Sequence, residues 1–198
     1  MPKKIDHEQR KVKILQTALD VFAKEGYKDS NLSLIAQECG ISRPTIYQYF
    51  KDKDEIYYYA VKLVTGKMFE KYVDFAWNSD DNVLDRVISI CSDIIDTGVE
   101  HIGELTSLVD VMFYMRKEGT DFNSVILRRT AKLNILFKRL LRLGLDRGDI
   151  KEGTSIDKVT EHIVLLLESF CIELAFLELK DATKNKDLIS TYLNFFKA

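Results

Sequence analysis

Residues 31–53 leave this chain few options. Leu32, Ile35, Ala36 and Cys39 recur at i, i+3, i+4 and i+7, which makes one face of a short helix apolar. Gly40 follows at once, where a helix C-terminus favours a residue that accepts a positive φ without a Cβ clash. Ile41 fills the turn, and Ser42 is placed to N-cap a second short helix. Pro44 is tolerated there, because the first helical turn needs no N–H at that position. In the second helix Ile46 and Phe50 lie four apart and point inward. That leaves Arg43, Thr45, Tyr47, Gln48 and Tyr49 wholly or partly outward. A short helix with a polar, aromatic and cationic outer surface, braced by the helix before it, suits insertion into a DNA major groove.

The pattern extends on both sides. Ile14-Leu15-x-x-Ala18-x-x-Val21-Phe22, Gly26-Tyr27, Leu32-x-x-Ile35-Ala36, Gly40-Ile41-Ser42, Thr45-Ile46-Tyr47-x-Tyr49-Phe50 and Lys53-x-x-Ile56 together resemble the DNA-binding region of the TetR (tetracycline-repressor-like) family of bacterial transcriptional regulators. The resemblance runs from Ile14 to Ile56; the remainder matches that family only in length and helical pattern.

Composition fits an all-α protein, since only two prolines interrupt 198 residues rich in Leu, Ile, Lys and Glu. The expected organisation is an N-terminal three-helix helix-turn-helix DNA-binding domain over residues 1–52, then a C-terminal helical ligand-binding and dimerisation domain over 53–198. Net charge is −2, which argues against a protein basic all over. Residues 1–54 nevertheless hold ten Lys and Arg against eight Asp and Glu, so any DNA footprint must be local. Cys39, Cys91 and Cys171 are odd in number and widely spaced, as buried thiols in a reducing compartment would be. Met1-Pro-Lys-Lys leads into charged residues rather than an apolar stretch, so a cytoplasmic protein without a secretory signal is expected.

Along the chain, a helix from about 8 to 24 carries Leu15, Ala18, Leu19, Phe22 and Ala23 on one stripe and ends at Gly26. Ser30 or Asn31 caps the next helix. Asp52 and Glu55 read as a capping-box-like start of a helix that continues to about Trp77. Lys53 lies in its first turn, where acids are preferred, and a bound phosphate would account for it. Further helices are expected at about 82–97, 103–117, 121–143, 156–180 and 185–197, with breaks at Gly98, Gly103, Gly119 and Gly144.

The stretch from Ile163 to Leu177 is apolar nearly all round, but Glu168 and Glu173 interrupt it and no membrane span is expected. A helix apolar on several sides must be buried on several sides. Two C-terminal helices from each of two subunits would form a four-helix interface using Leu166, Phe170, Leu174, Leu177, Leu188, Tyr192 and Phe195. The resemblance implies the same homodimer. Two recognition helices about 34 Å apart would then read a palindromic double-stranded operator.

By chemistry, Arg43 can donate to guanine N7 and O6, and Gln48 can pair with adenine. Pro44 and Thr45 can touch thymine methyls, while Tyr47, Tyr49, Ser33, Ser42 and Lys53 suit phosphate. The resemblance places Ser33, Arg43, Pro44, Thr45, Tyr47, Gln48, Tyr49 and Lys53 on the family's DNA-contact positions. It further implies a repressor released when a small molecule binds the C-terminal body and changes the spacing of the two heads. A small hydrophobic or amphipathic ligand would be lined by Met68, Tyr72, Met112, Phe113, Met115, Phe122, Phe137 and Phe170, with His101, His162, Glu168 and Glu173 as the polar groups nearby.

An enzyme is not expected. No Gly-rich phosphate loop, Gly-x-Ser-x-Gly, His-Glu-x-x-His or Glu-x-x-His occurs, and the three histidines are too scattered for a metal site. No cofactor is implied. A DNA-binding scaffold without an inducer and an activator remain the alternatives; activator or repressor depends on where the operator lies relative to the promoter.

Overall fold

Apolar periodicity and well-placed caps produce an all-helical chain. The computed structural model describes residues 7–117, 123–177 and 181–198, without the side chains of 64, 65, 67, 68, 104, 107, 108, 110, 112, 115, 116 and 123–129. Among the described residues there are nine helices and no strand. They are α1 (His7–Glu25), α2 (Leu32–Cys39), α3 (Arg43–Tyr47), α4 (Lys53–Asn78), α5 (Val83–Glu100), α6 (Ile102–Lys117), α7 (Asn123–Arg147), α8 (Ile156–Leu177) and α9 (Ala182–Asn194).

The chain forms two compact units, Met1–Lys67 with Thr106–Phe122, and Met68–Leu105 with Asn123–Ala198. The division falls inside α4 and again inside α6. In the first unit α1 packs on α2 and α2 on α3. Ile14, Leu15, Ala18, Val21 and Phe22 are the buried residues of α1, so its inner stripe runs through Ile14 and Val21, and Ala23 is exposed. Ile35, Ile46, Phe50, Ile56, Tyr57 and Ala60 complete a core in which each exposes 1% of its surface or less.

In the second unit α5 packs against α7, α8 and α9, and α8 packs against α7 and α9. Val83, Leu84, Val87, Ile90, Cys91 and Ile95 supply the inner face of α5. The α4 end of this unit is closed by a residue whose role the sequence did not announce. Arg86 is 2% exposed, and its guanidinium donates to the carbonyls of Ala76 at 3.0 Å and Asp81 at 2.8 Å. A cation at those carbonyls answers both the orphan acceptors and the negative pole of the helix end.

Three of the expected glycine breaks are not breaks. Gly98 lies within α5, Gly103 within α6 and Gly144 within α7; Gly119 lies outside the described residues. Two of the three serve close packing. A Cβ on Gly98 would come within 3.1 Å of the Phe170 ring. A Cβ on Gly144 would meet Ile150 Cδ1 at 2.9 Å and Val83 Cβ at 3.0 Å. α7 instead ends three residues later, and Gly148 follows it with φ +76°.

Among the described residues nothing lies within 4 Å of such a Cβ on Gly66, in α4, so Gly66 and Gly144 separate propensity from packing. Gly66→Ala should stabilise by up to about 1 kcal/mol through helix propensity. Gly144→Ala gains the same propensity but overpacks a contact rooted at Val83 Cβ, at a cost of about 1–3 kcal/mol, and should lower the melting temperature. Paired thermal melts check this: equal shifts in the same direction would contradict it.

Candidate nucleic-acid interface

A five-residue helix cannot hold itself together, because too few hydrogen bonds offset the cost of nucleation. α3 is held by its ends and by what lies beneath it. Asn31 caps α2, accepting from Leu34 N–H at 3.0 Å. Ser30, the other cap candidate, is buried and donates to the Tyr27 carbonyl at 2.7 Å. Gly40 takes φ +68°, and its N–H and that of Ile41 close the end of α2 on Gln37 and Ala36 carbonyls, both at 3.0 Å. Ser42 accepts from Thr45 N–H at 3.4 Å, and the two hydroxyls of Ser42 and Thr45 share a hydrogen bond at 2.7 Å. Ile46 at 0% and Phe50 at 1% exposure pin the segment to the core.

The outward residues emerge as the periodicity requires. Ser33, Ser42, Arg43, Pro44, Tyr47 and Gln48 are exposed, and Thr45 and Tyr49 are half-buried. The Arg43 guanidinium lies 6.0 Å from the centre of the Tyr47 ring, on whose face a cation is attracted by the ring quadrupole. With its hydroxyl engaged by Ser42, Thr45 has a methyl group to offer a base edge. Tyr49 is met from outside the motif: its phenol oxygen is 2.9 Å from His7 Nδ1 at the beginning of α1. One turn further along α1, the Lys11 ammonium sits 4.7 Å from the Tyr59 ring centre and 5.7 Å from that of Phe50. Contacts spanning forty residues have no local sequence signal.

Lys53 differs from the expectation. Its ammonium donates to the carbonyls of Tyr27 at 2.8 Å, Lys28 at 3.2 Å and Ser30 at 3.3 Å. All three N–H groups are thus engaged within the protein, and a phosphate would have to displace a carbonyl. The ammonium also lies 4.4 Å from the Tyr27 ring centre. Tyr27 in turn donates its phenol to Asp54, and burial beside that carboxylate pushes the phenol up from its ordinary pKa. The helix start carrying Lys53 is capped as expected by Asp52, which accepts from Glu55 N–H at 2.7 Å. Glu55 reaches back to Lys51 N–H at 2.7 Å rather than to Asp52.

Tyr72, Phe137 and Phe170 are at 3%, 0% and 1% exposure in the core of the second unit, whereas Phe113 is 52% exposed in the first. The side chains of Met68, Met112 and Met115, and all of Phe122, lie outside the described residues. The dimer set needs correcting too. Phe170 and Leu174 are at 1% and 0% exposure and belong to the subunit's own core. A nearly all-apolar helix gives no register from which to choose its inner face. The outer face of α8 carries Leu165, Ile172 and Phe176, each more than half exposed, and continues to Leu177 at 62%. Leu188 on α9 and Phe195 just after it are exposed at 45% and 71%, while Leu166 on α8 and Tyr192 on α9 are half-buried. His162 pairs with the Tyr192 phenol, its Nδ1 2.8 Å from the phenol oxygen. Cys39 and Cys91 are buried and Cys171 is half-buried. Burial raises all three thiols, Cys171 to about 11 with help from Glu168, so none is activated as a thiolate. No helix among the described residues is long and apolar enough to cross a membrane.

Comparison with known proteins bears on the same segment. Residues 14–59 match the family model described as "Bacterial regulatory proteins, tetR family". Over 196 residues the chain is 26% identical to the HTH-type transcriptional regulator PksA of Bacillus subtilis, covering 87% of this chain and 95% of that one. The fold superposes on a TetR transcription regulator from Haloarcula marismortui with a TM-score of 0.86 at 15% identity, over 96% of this chain and all of that one. It also superposes on the transcriptional regulator FadR of Bacillus subtilis, solved in complex with stearoyl-CoA, with a TM-score of 0.75 at 20% identity, over 91% and 96% of the two chains.

The engagement of Lys53 has a measurable consequence. Lys53→Met keeps the aliphatic stem but strips three carbonyls of a charged donor, and should cost about 1–3 kcal/mol of stability. Denaturant unfolding of the isolated protein checks it; an unchanged midpoint would mean that the ammonium is not the clamp.

Proposed function

Because the chain belongs to the TetR family of bacterial regulatory proteins, we propose that it represses transcription as a homodimer on a palindromic operator and is released by a small hydrophobic or amphipathic ligand. The observation that carries the DNA half of this reading is the exposed surface of α3. Seven side chains between Ser42 and Tyr49 that are able to meet phosphates or base edges project from a segment whose inner side is pinned at Ile46 and Phe50. Arg43 and Gln48 read bases, Thr45 and Pro44 meet thymine methyls, and Tyr47, Tyr49, Ser33 and Ser42 set the register on the backbone.

The apolar outer faces of α8 and α9 support the dimer. Leu165, Ile172 and Phe176 recur at i, i+7 and i+11, a single stripe of the kind that marks an association surface when left uncovered. The ligand half rests on family likeness; the acyl-CoA belongs to the FadR structure, and here only its amphipathic class is carried over. Release follows if the ligand prefers a conformation whose head spacing does not fit the operator. α4 contributes residues to both compact units and is the covalent route for that preference. In this reading the protein acts in the cytoplasm, on DNA, without catalytic chemistry or a cofactor.

The test is equilibrium binding to a DNA site obtained by selection from random sequence, with two variants beside the wild type. Tyr47 is 49% exposed, so Tyr47→Ala should leave the melting temperature unchanged and weaken binding about tenfold or more. Ile46→Ala should instead lose about 2–4 kcal/mol of stability, and with it the DNA-binding surface. Tight binding by Tyr47→Ala to the selected site would reject α3 as the reading element.

A further inference from the structure

We propose that His7 is a positioning residue of the DNA interface: it orients the Tyr49 phenol so that its hydroxyl hydrogen points to a DNA phosphate. The inference rests on the reading of α3 as the DNA-binding helix and adds to it a residue from outside the helix-turn-helix. Two observations place His7 there. Its Nδ1 is 2.9 Å from the Tyr49 phenol oxygen, with the ring centres 5.9 Å apart. The register is fixed independently one turn along α1, where the Lys11 ammonium covers the rings of Phe50, the residue after Tyr49, and of Tyr59. Residues 7 and 11 lie on one face of the helix, so the first turn of α1 is fastened along the edge of the recognition segment.

The chemistry turns on which partner holds the hydrogen. A phenol has one hydrogen to donate and lone pairs to accept. If imidazole Nδ1 accepts that hydrogen, Tyr49 has none left for a phosphate. If Nδ1–H donates to the phenol oxygen, the phenolic hydrogen is free, and each bond in the resulting chain from imidazole to phenol to phosphate polarises the next. A phosphate oxygen can only accept, so DNA selects the second arrangement. The residue at position 7 must therefore be a donor.

That requirement separates positioning from packing. The experiment measures affinity for the selected operator in His7→Ala, His7→Asn, His7→Asp and Tyr49→Phe, and in the double variants of Tyr49→Phe with each change at residue 7. His7→Ala and Tyr49→Phe should each weaken binding about three- to tenfold, the net worth of one typical hydrogen bond. The two together should weaken it no further than either alone. His7→Asn, whose amide can donate, should restore binding to within about twofold of wild type. His7→Asp accepts only, yet a carboxylate suits the first turn of α1, so it should weaken binding without lowering the melting temperature. Its effect should shrink in the Tyr49→Phe background to whatever general repulsion of DNA contributes. His7→Ala binding as tightly as wild type, or losses from His7→Ala and Tyr49→Phe that multiply, would overturn the proposal while leaving the reading of α3 intact. A wild-type protein that selects no DNA sequence would overturn both.

Discussion

The burial of Ile46 and Phe50 under the recognition segment is the interaction on which the rest depends. α3 has five residues, less than half the length at which a helix begins to persist alone in water. Its conformation is therefore borrowed from its packing against α2 and from the burial of those two side chains in the first unit. Local bonds refine what that burial fixes: the Ser42 cap starts the helix, and the positive φ at Gly40 turns the chain into it. Arg43, Tyr47 and Gln48, all exposed, are not needed for that anchoring. The surface can then vary in chemistry without endangering the fold, a useful property for a protein that must read one sequence among many.

The same division between an anchored inside and a free outside recurs at other helix ends. Lys53, Tyr27 and Asp54 tie the loop between α1 and α2 to the first turn of α4, using side chains that cross about 25 residues of sequence. Arg86 does comparable work at the far end of α4, where a guanidinium closes the carbonyls of Ala76 and Asp81. A helix tied at both ends to residues outside it moves as those neighbours move, which suits the element that contributes residues to both units.

Much of this was legible in the sequence, and the failures have physical causes. The helix-turn-helix could be read because its constraints are local: apolar spacing at 32, 35, 36 and 39, a glycine at the turn, and a cap at Ser42. The homology of the segment agrees with that reading. The partners of Lys53 could not be read, because they are backbone carbonyls, which leave no trace in residue type. Gly98 and Gly144 read as helix breaks because propensity sees a missing side chain but not the Phe170 ring or the Val83 and Ile150 side chains that need its space. Phe170 and Leu174 were assigned to a subunit interface because an almost wholly apolar α8 does not declare which face its own subunit takes. His7 was passed over, since a contact across 42 residues is invisible to any window along the chain.

The central claim is that two copies of α3, related by a two-fold axis, enter successive turns of one DNA groove. Hydroxyl-radical footprinting of the full-length protein on its selected site tests this most directly. The account predicts two protected patches of equal size, related by dyad symmetry and centred about one helical turn or a whole multiple of it apart on one face of the duplex. Protection spread evenly along the DNA, or a single patch with no dyad-related partner, would contradict it.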